Sequence, residues 1–247
     1  MILVLAACIM NPSVHAGGSS SFSLSFGIDL AIGLPALGMF GAGMLVEPQA
    51  NANDTEWIDE DFTYPYSSTL EHAGTLSLAV GVLALPFLLD TWDAENTITL
   101  GVMFSQAALL TIGTKDLLKA AISRPRPYLD REDTPESLLN DEDSYASFPS
   151  GHTSLAFMSA AFCTYVYAQG NTSETGKWLM GISTFALATA TSTLRVASGS
   201  HYISDVVAGA VLGSLIGIGV PLLHRNTSTD GITIAVQPLA LSLTFDY

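Results

Sequence analysis

Residues 148–154 have the sequence Phe-Pro-Ser-Gly-His-Thr-Ser (FPSGHTS) and open an apolar run that extends to residue 169. The proline ends the preceding loop, and Ser150 is of a residue type that commonly caps a helix N-terminus. We therefore predict that a helix begins at Gly151 and His152. The free backbone N–H groups at a helix start can bind an anion, and a glycine lets an oxyanion approach the backbone closely. His152 would then stand beside the bound anion, in position for proton transfer.

The composition of the chain is typical of a membrane protein. Of its 247 residues, 49% are hydrophobic and only 13% are charged, whereas about a quarter of the residues in soluble domains are charged. Apolar runs lie roughly at 27–46, 73–89, 98–118, 154–169, 178–196 and 203–223. Most of them approach the ~20 residues needed to cross a bilayer. We predict an all-α, six-helix bundle embedded in a membrane, with a buried soluble bundle as the alternative.

The two ends of the chain depart from this helical pattern. Residues 1–16 resemble a short export signal, although the usual positively charged start is missing. Residues 226–247 alternate in polarity and carry β-branched side chains, which predicts a short strand segment or hairpin. The predicted organisation is a possible signal at 1–16, a helical domain at 17–225 and a strand segment at 226–247.

Charge excludes some classes of function. The net charge is −15, from 23 acidic and 8 basic residues, which argues against nucleic-acid binding. Neither a zinc motif nor an EF-hand pattern occurs in the sequence, so no metal or other cofactor is predicted, and no obligate protein partner is evident.

Seven acids lie in the loop 128–147. This loop could cover a site or repel anions, but a solvated loop is the simpler interpretation.

A second notable stretch, KAAISRPRP at residues 119–127, combines basic side chains with prolines. Lys119 and Arg126 are seven residues apart, about two helical turns, so they share a face if the helix continues through the interval. Alone, this stretch is more simply interpreted as a basic helix end that faces water or lipid phosphate. Two nearby bases, Lys115 and Arg124, fall outside this spacing and are interpreted as supporting charge.

The third stretch, LRVASGSHYISDV at residues 194–206, contains Arg195 and then a Ser-Gly-Ser turn. His201 and Asp205 are four residues apart, which places them on one face if a helix begins there. A carboxylate that contacts one imidazole nitrogen fixes the tautomer and raises the basicity of the other nitrogen. Such a histidine can act as a nucleophile or a base. A structural His–Asp pair explains the stretch slightly better when it is considered alone.

The three stretches lie at helix ends that share one predicted face of the bundle. Together they would gather two histidines, a carboxylate, three cations and a helix N-terminus. Charge clusters at membrane depth are costly and are functional by default. The surplus of cations favours an anion with several oxygens, and phosphate fits.

The three stretches, which span residues 119–205, resemble the signature motifs of the type 2 phosphatidic acid phosphatase (PAP2) superfamily. That superfamily includes membrane lipid phosphatases, soluble bacterial class A acid phosphatases and vanadium haloperoxidases. One departure is visible, because the third motif usually begins Ser-Arg and Leu194 stands at the serine position. The missing serine should weaken phosphate binding modestly, and Thr193 would point elsewhere in a regular helix. The matching positions are Lys119-x6-Arg126-Pro127, Pro149-Ser150-Gly151-His152 and Arg195-x5-His201-x3-Asp205.

The resemblance implies a metal-independent phosphatase that works through a phosphohistidine. His201 would attack phosphorus with Asp205 orienting it, and His152 would protonate the leaving oxygen and then activate water. The residues implied to bind the phosphate oxygens are Lys119, Arg126, Ser150, Gly151 and Arg195.

The substrate class remains open among several alternatives. A site at the ends of membrane helices favours a lipid phosphate, such as phosphatidate, phosphatidylglycerol phosphate, isoprenyl diphosphate or a lipid A phosphate. A periplasmic acid phosphatase that acts on soluble phosphomonoesters is the main alternative, and a vanadium-dependent haloperoxidase or a non-catalytic phosphate-sensing bundle is less favoured. The expected location is the bacterial cell envelope, as a multi-pass membrane protein with its site on the periplasmic side.

Overall fold

The computed structural model describes residues 21–49, 57–59, 61–88, 94–132, 134–139, 141–170, 173–226, 232–237 and 240–245. The possible export signal at residues 1–16 lies outside these ranges. Six long helices follow the predicted apolar runs: α1 (Phe26–Gly43), α2 (Ser68–Leu88), α3 (Ala94–Ile122), α4 (Gly151–Gln169), α5 (Glu174–Ala197) and α6 (Ile203–Leu223). Three short helical turns connect α3 to α4: Pro127–Asp130, Glu136–Leu139 and Glu142–Tyr145.

Two strands follow the helices near the end of the chain. Strand β1 (Ile232–Gln237) pairs antiparallel with β2 (Ala240–Phe245), with Ile232 opposite Phe245. The predicted helical bundle with a short C-terminal hairpin is therefore confirmed.

Helix α4 lies at the centre of the bundle and packs against α2, α3, α5 and α6. Its sequence is rich in Ala, Ser and other small residues, many of which are buried, so neighbouring helices can surround it closely. An apolar core is formed by residues from α3, α4, α6 and the segment before α1, which are Phe22, Met103, Ala107, Met158, Phe162, Cys163, Val166 and Val220.

Helices α4 and α6 approach each other at backbone distance. Gly209, Gly213 and Gly217 recur every fourth residue along α6 and face α4. A Cβ atom at Gly213 would lie 2.0 Å from the carbonyl oxygen of Ser154, so a larger residue there would separate the helices. This contact brings the starts of α4 and α6 together.

Three segments among the described residues are long and apolar enough to cross a membrane: Phe26–Gly43, Thr97–Leu129 and Ile203–Leu223. Helix α6 also turns a continuous apolar face outward, formed by Val207, Val211, Leu215, Ile218 and Leu222. Such a face suits lipid better than water. These features fit the multi-pass membrane protein that the composition predicts.

The end of the bundle that carries the predicted site is held together by backbone contacts between connecting segments. The Ser67 amide before α2 donates a hydrogen bond to the Ser198 carbonyl after α5, at 3.0 Å. The Ser150 amide before α4 donates to the Asp205 carbonyl in the first turn of α6, also at 3.0 Å. The end of α5 and the starts of α2, α4 and α6 therefore share one face, as expected.

Candidate active site

The cations of the first motif come from the end of a helix and from the segment that follows it. Helix α3 ends at Ile122, and Ser123 has a positive φ of 48°. Arg126 therefore lies beyond the helix, so the condition for a helical face shared with Lys119 is not met. The prolines beside Arg126 cannot continue a helix, and the chain turns sharply instead. Both cations nevertheless converge on one carboxylate, that of Asp143.

Asp143 binds these two cations through several contacts. Arg126 donates from Nη2 to the Asp143 carboxylate and from Nε to the Asp143 carbonyl oxygen, the latter at 2.8 Å. The Lys119 ammonium lies 3.5 Å from the other carboxylate oxygen. Partial burial would raise the pKa of Asp143, but the charges of Arg126 and Lys119 outweigh it and hold the pKa below its usual value. Asp143 therefore remains ionised at neutral pH.

The second motif begins a helix where the sequence predicts. Ser150 precedes α4 as its N-cap residue, and Gly151 is the first helical residue. The Ser150 hydroxyl makes no capping bond, and it is buried without a partner among the described residues. In the first turn, His152 Nε2 lies 3.1 Å from Thr75 Oγ1 on α2. Because buried hydroxyls are nearly always hydrogen-bonded, the free Ser150 Oγ is a candidate ligand contact.

The third motif is shaped by a tight turn rather than by a continuous helix. Helix α5 ends at Ala197, Gly199 adopts a φ of +70°, and α6 begins only at Ile203. His201 therefore precedes α6, and the condition for a helical face shared with Asp205 is not met. A Cβ at Gly199 would lie 2.4 Å from the carbonyl oxygen of Tyr64, so glycine is needed at the turn.

The turn still places His201 beside Asp205. His201 Nδ1 lies 3.4 Å from Asp205 Oδ2, and both side chains are almost wholly buried. This separation is longer than a good hydrogen bond, and Nδ1 has no hydrogen-bond partner among the described residues.

The other ring nitrogen of His201 faces the cations. Nε2 lies 3.4 Å from Nη1 of Arg126. Burial lowers the pKa of His201 well below its ordinary value, and Arg126 and Arg195 lower it further. The imidazole is therefore neutral at neutral pH. If Nδ1 carries the proton and faces Asp205, Nε2 presents a lone pair to the anion site.

Arg195 provides further unused donors. Its Nη2 donates to Glu71 Oε1 at 3.1 Å, whereas Nε and Nη1 are buried and have no partner within the described residues. Thr193 donates to the Thr189 carbonyl at 2.9 Å, so it does not replace the serine that Leu194 displaces. An anion with several oxygens could accept hydrogen bonds from the free Arg195 donors and from Ser150 Oγ together.

The role of the acidic segments was not predicted. The end of the loop 128–147, interpreted as solvated, instead delivers Asp143 to the site, and Glu71 pairs with Arg195. Arg124, interpreted as supporting charge, contacts the carboxylates of Asp205 and Asp59 directly. The sequence marks the acidic clusters but does not indicate which acid reaches the cations.

The Asp143 contacts predict that Asp143→Asn will bind phosphate more tightly. The carboxylate competes with phosphate for Arg126 and Lys119, and its side chain is 59% exposed. Because ion pairs with exposed partners contribute at most about 1 kcal/mol, we expect inorganic phosphate to bind about fivefold more tightly to the variant. The competitive inhibition constant of inorganic phosphate, measured for Asp143→Asn and for the control variant Asp61→Asn, tests this; no contact between Asp61 and the site is seen among the described residues. Unchanged or weaker inhibition would contradict it.

No group of three or more His, Cys, Asp or Glu side chains within the described ranges has the arrangement needed to bind a metal ion. The site is instead a set of cationic and N–H donors around a helix N-terminus, with one histidine oriented by a carboxylate and another nearby. Such an arrangement is suited to binding an oxyanion, as sites for phosphoryl transfer must.

Comparison with known proteins agrees with this class. The PAP2 superfamily matches residues 97–228, more than half of the 247-residue chain, and the chain belongs to this superfamily. It is similar to "Lipid phosphate phosphatase 1" of Arabidopsis thaliana, with 28% identity over 66% of this chain and 55% of that protein. It is also similar to "Probable diacylglycerol pyrophosphate phosphatase 1" of Schizosaccharomyces pombe, with 31% identity over 44% of this chain and 50% of that protein. The alignments thus span about half the length of these relatives.

Among solved structures, the chain matches one described as the first transmembrane PAP2 type phosphatidylglycerolphosphate phosphatase, from Bacillus subtilis. The identity is 21%, the TM-score is 0.42, and the match covers 89% of this chain and 90% of that one.

Proposed function

We propose that this protein is a phosphatase that hydrolyses the phosphate ester of a lipid through a phosphohistidine intermediate. The observation that carries the proposal is the environment of His201. Its Nε2 lies 3.4 Å from Arg126, while its Nδ1 faces the Asp205 carboxylate at 3.4 Å. A neutral, buried imidazole held between a carboxylate and an anion-binding arginine is suited to attack phosphorus.

The proposed reaction has two steps. In the first, the His201 Nε2 lone pair forms a bond to phosphorus, the bond from phosphorus to the ester oxygen breaks, and His152, in its protonated form, gives its extra proton to the leaving oxygen. In the second, His152 takes a proton from water, the water oxygen attacks phosphorus, and the P–N bond breaks to release inorganic phosphate. Asp205 stabilises the positive charge that develops on the His201 ring in the first step.

The phosphoryl oxygens are held by groups from all three motifs. We assign this role to the Ser150 hydroxyl and Arg195, whose free donors are described above, together with the Gly151 N–H, Arg126 and Lys119. Phosphoryl transfer depends mainly on positioning and charge stabilisation, and preorganised donors supply both. Asp143 and Glu71 contact the same cations, so an incoming phosphate must compete with them.

A lipid phosphate is the proposed substrate class. The outward apolar face of α6 indicates that lipid surrounds the bundle, and the site lies at the helix ends, where a lipid headgroup would be located. The named relatives are described as lipid phosphate and diacylglycerol pyrophosphate phosphatases, which supports this class. Asp59 and Asp143 lie at the same end of the bundle as the site and belong to sequence segments rich in acids, and we propose that this end faces the non-cytoplasmic side of a bacterial envelope.

Phosphate release from a panel of substrates tests the proposal. The panel contains phosphatidate, phosphatidylglycerol phosphate, an isoprenyl diphosphate and p-nitrophenyl phosphate, each in detergent micelles with EDTA present. We expect release from at least one lipid phosphate, at a rate that EDTA does not change, because the assigned groups need no metal. Dependence on an added divalent ion would contradict the mechanism. Release only from the soluble ester would contradict the substrate class, and vanadate-dependent halide oxidation without phosphate release would contradict both.

A further inference from the structure

Arg124 is a buried cation that the three motifs leave without a role. Its side chain is 1% exposed, although it lies only two residues before Arg126. The guanidinium lies over two aromatic rings, with its Cζ 4.2 Å from the centre of the Trp57 ring and 3.8 Å from that of the Tyr202 ring. These two cation–π contacts, together with burial, restrict the movement of the group and therefore the directions of its N–H donors.

Those donors engage two carboxylates from different parts of the chain. Arg124 Nη1 donates to Asp205 Oδ1 at 2.6 Å, and Nη2 donates to Asp59 Oδ1 at 3.0 Å. The same Nη1 also donates to the Ser204 hydroxyl at 2.6 Å. Arg124 therefore links the acidic segment after α1 to the carboxylate that faces His201.

The Asp205 carboxylate is fixed from several sides. While Arg124 binds Oδ1, Oδ2 accepts hydrogen bonds from the Ser147 hydroxyl at 2.5 Å and the Tyr202 amide at 2.9 Å. Oδ2 is also the oxygen that lies 3.4 Å from His201 Nδ1. The carboxylate cannot leave this plane without breaking these bonds, so Arg124 helps to hold it in the orientation that faces the histidine.

Asp59 fixes Arg124 in turn. Its Oδ2 accepts a hydrogen bond from the Ser204 amide at 2.6 Å, and its Oδ1 accepts one from the Ser204 hydroxyl at 3.0 Å. Burial would raise the pKa of Asp59, but the bonds from Ser204 and Arg124 hold it below its usual value. Asp59 is therefore ionised at neutral pH and balances part of the Arg124 charge.

We propose that Arg124, held by Asp59 and by the rings of Trp57 and Tyr202, is a positioning residue that aligns Asp205 with His201. Its side-chain hydrogen bonds and ion pairs go to Asp205, Asp59 and Ser204 and not to the phosphate ligands or His201, so it acts on the reaction through the carboxylate. This inference rests on the proposed function, because it assigns Arg124 a part in the same phosphoryl transfer.

The experiment is a double-mutant cycle between Arg124 and Asp205. The variants are Arg124→Gln, Asp205→Asn and the pair, assayed on the best lipid phosphate of the panel, with Arg124→Lys as the conservative variant. Loss of a hydrogen-bond partner that orients a metal-binding side chain typically lowers activity by about 10- to 100-fold. By analogy, we expect Arg124→Gln to lower kcat by about that factor. Inhibition by inorganic phosphate should stay within about twofold, since the phosphate ligands are unchanged. In the Asp205→Asn background, Arg124→Gln should change kcat by less than about threefold.

Arg124→Lys should recover part of the lost kcat, because it restores a cation without the planar fork. If Arg124→Gln does not fold, the cycle is run with Asp59→Asn, which keeps the side-chain shape. We expect Asp59→Asn to lower kcat by a smaller factor than Arg124→Gln, and again to have little effect in the Asp205→Asn background. Equal factors in the two backgrounds, or a loss of phosphate binding that matches the loss of kcat, would overturn the inference. A wild-type protein without phosphatase activity, or a His201→Ala variant as active as the wild type, would instead overturn the proposed function.

Discussion

His201→Ala is expected to abolish phosphatase turnover while leaving the bundle folded and able to bind phosphate. Without the imidazole, no P–N bond can form, and the remaining groups can only assist direct attack by water. Removal of a nucleophile from a preorganised site costs on the order of 10^4-fold or more in kcat. The other groups assigned to phosphate, including the free donors of Arg195 and the Ser150 hydroxyl, are not altered by the change.

Two measurements separate the loss of the nucleophile from general damage. Rapid quenching of the wild type with 32P-labelled substrate should trap an acid-labile, base-stable phosphoprotein, which His201→Ala should lack. Inorganic phosphate should protect both proteins against heat equally, since ligand binding to the folded state raises stability. His72→Ala is the matched control, because His72 lies on α2 and contacts its own helix at Ser68. Normal turnover by His201→Ala, or labelling that persists in it, would rule out this nucleophile.

Much of the fold follows from the sequence by simple physical rules. Apolar runs near the length of a bilayer span, separated by polar segments, predict six helices, and all six are present with ends close to the expected positions. The start of α4 at Gly151 was predicted because a proline, a capping serine and an apolar run occur in that order. These rules succeed because they depend on local chemistry.

Geometry between elements was harder to predict. Helical spacing gives Lys119 and Arg126 a shared face only if the helix continues, but Ser123 takes a positive φ and the chain leaves the helix. The same rule needs a helix that begins at His201 to place it on one face with Asp205, and α6 begins only at Ile203. In both cases the residues meet through turns, whose dihedral angles depend on tertiary contacts that a spacing rule does not contain.

The partners of the cations could not be read from the sequence. Acidic residues are abundant near the motifs, and their number does not distinguish Asp143 and Asp59, which contact the site, from neighbours that do not. The path of the connecting segments decides which acids reach the cations. Asp143 follows the N-terminal residue of a 3-10 turn, and Asp59 lies two residues after Trp57, which stacks on Arg124. The role of each of these two acids depends on a contact with a residue far away in the sequence, and no local sequence pattern indicates that contact.

Asp205→Asn is expected to lower kcat by about 10^2- to 10^4-fold, the range expected when the carboxylate that orients a catalytic histidine is lost. The amide is the same size as the carboxylate, but it presents one N–H2 group where the native residue has an acceptor. That NH2 group must face either Arg124 or the pair Ser147 and Tyr202, all of which donate to the carboxylate in the native protein. Two donors would then face each other. The charge that would stabilise the positive His201 ring is also removed.

Because the Asp205 side chain makes no hydrogen bond or ion pair with the assigned phosphate ligands, and its backbone bond to Ser150 is kept in the variant, its loss should leave KM and phosphate inhibition within about threefold while kcat falls. Asp29→Asn is the matched control, since Asp29 is a largely buried carboxylate that binds Gln106 and His224 at the other end of the bundle. That change should lower thermal stability and leave kcat almost unaltered. If kcat and phosphate affinity fall together in Asp205→Asn, the carboxylate supports the shape of the whole site. If kcat alone falls, Asp205 acts through His201, and the chemistry depends on the orientation of that ring.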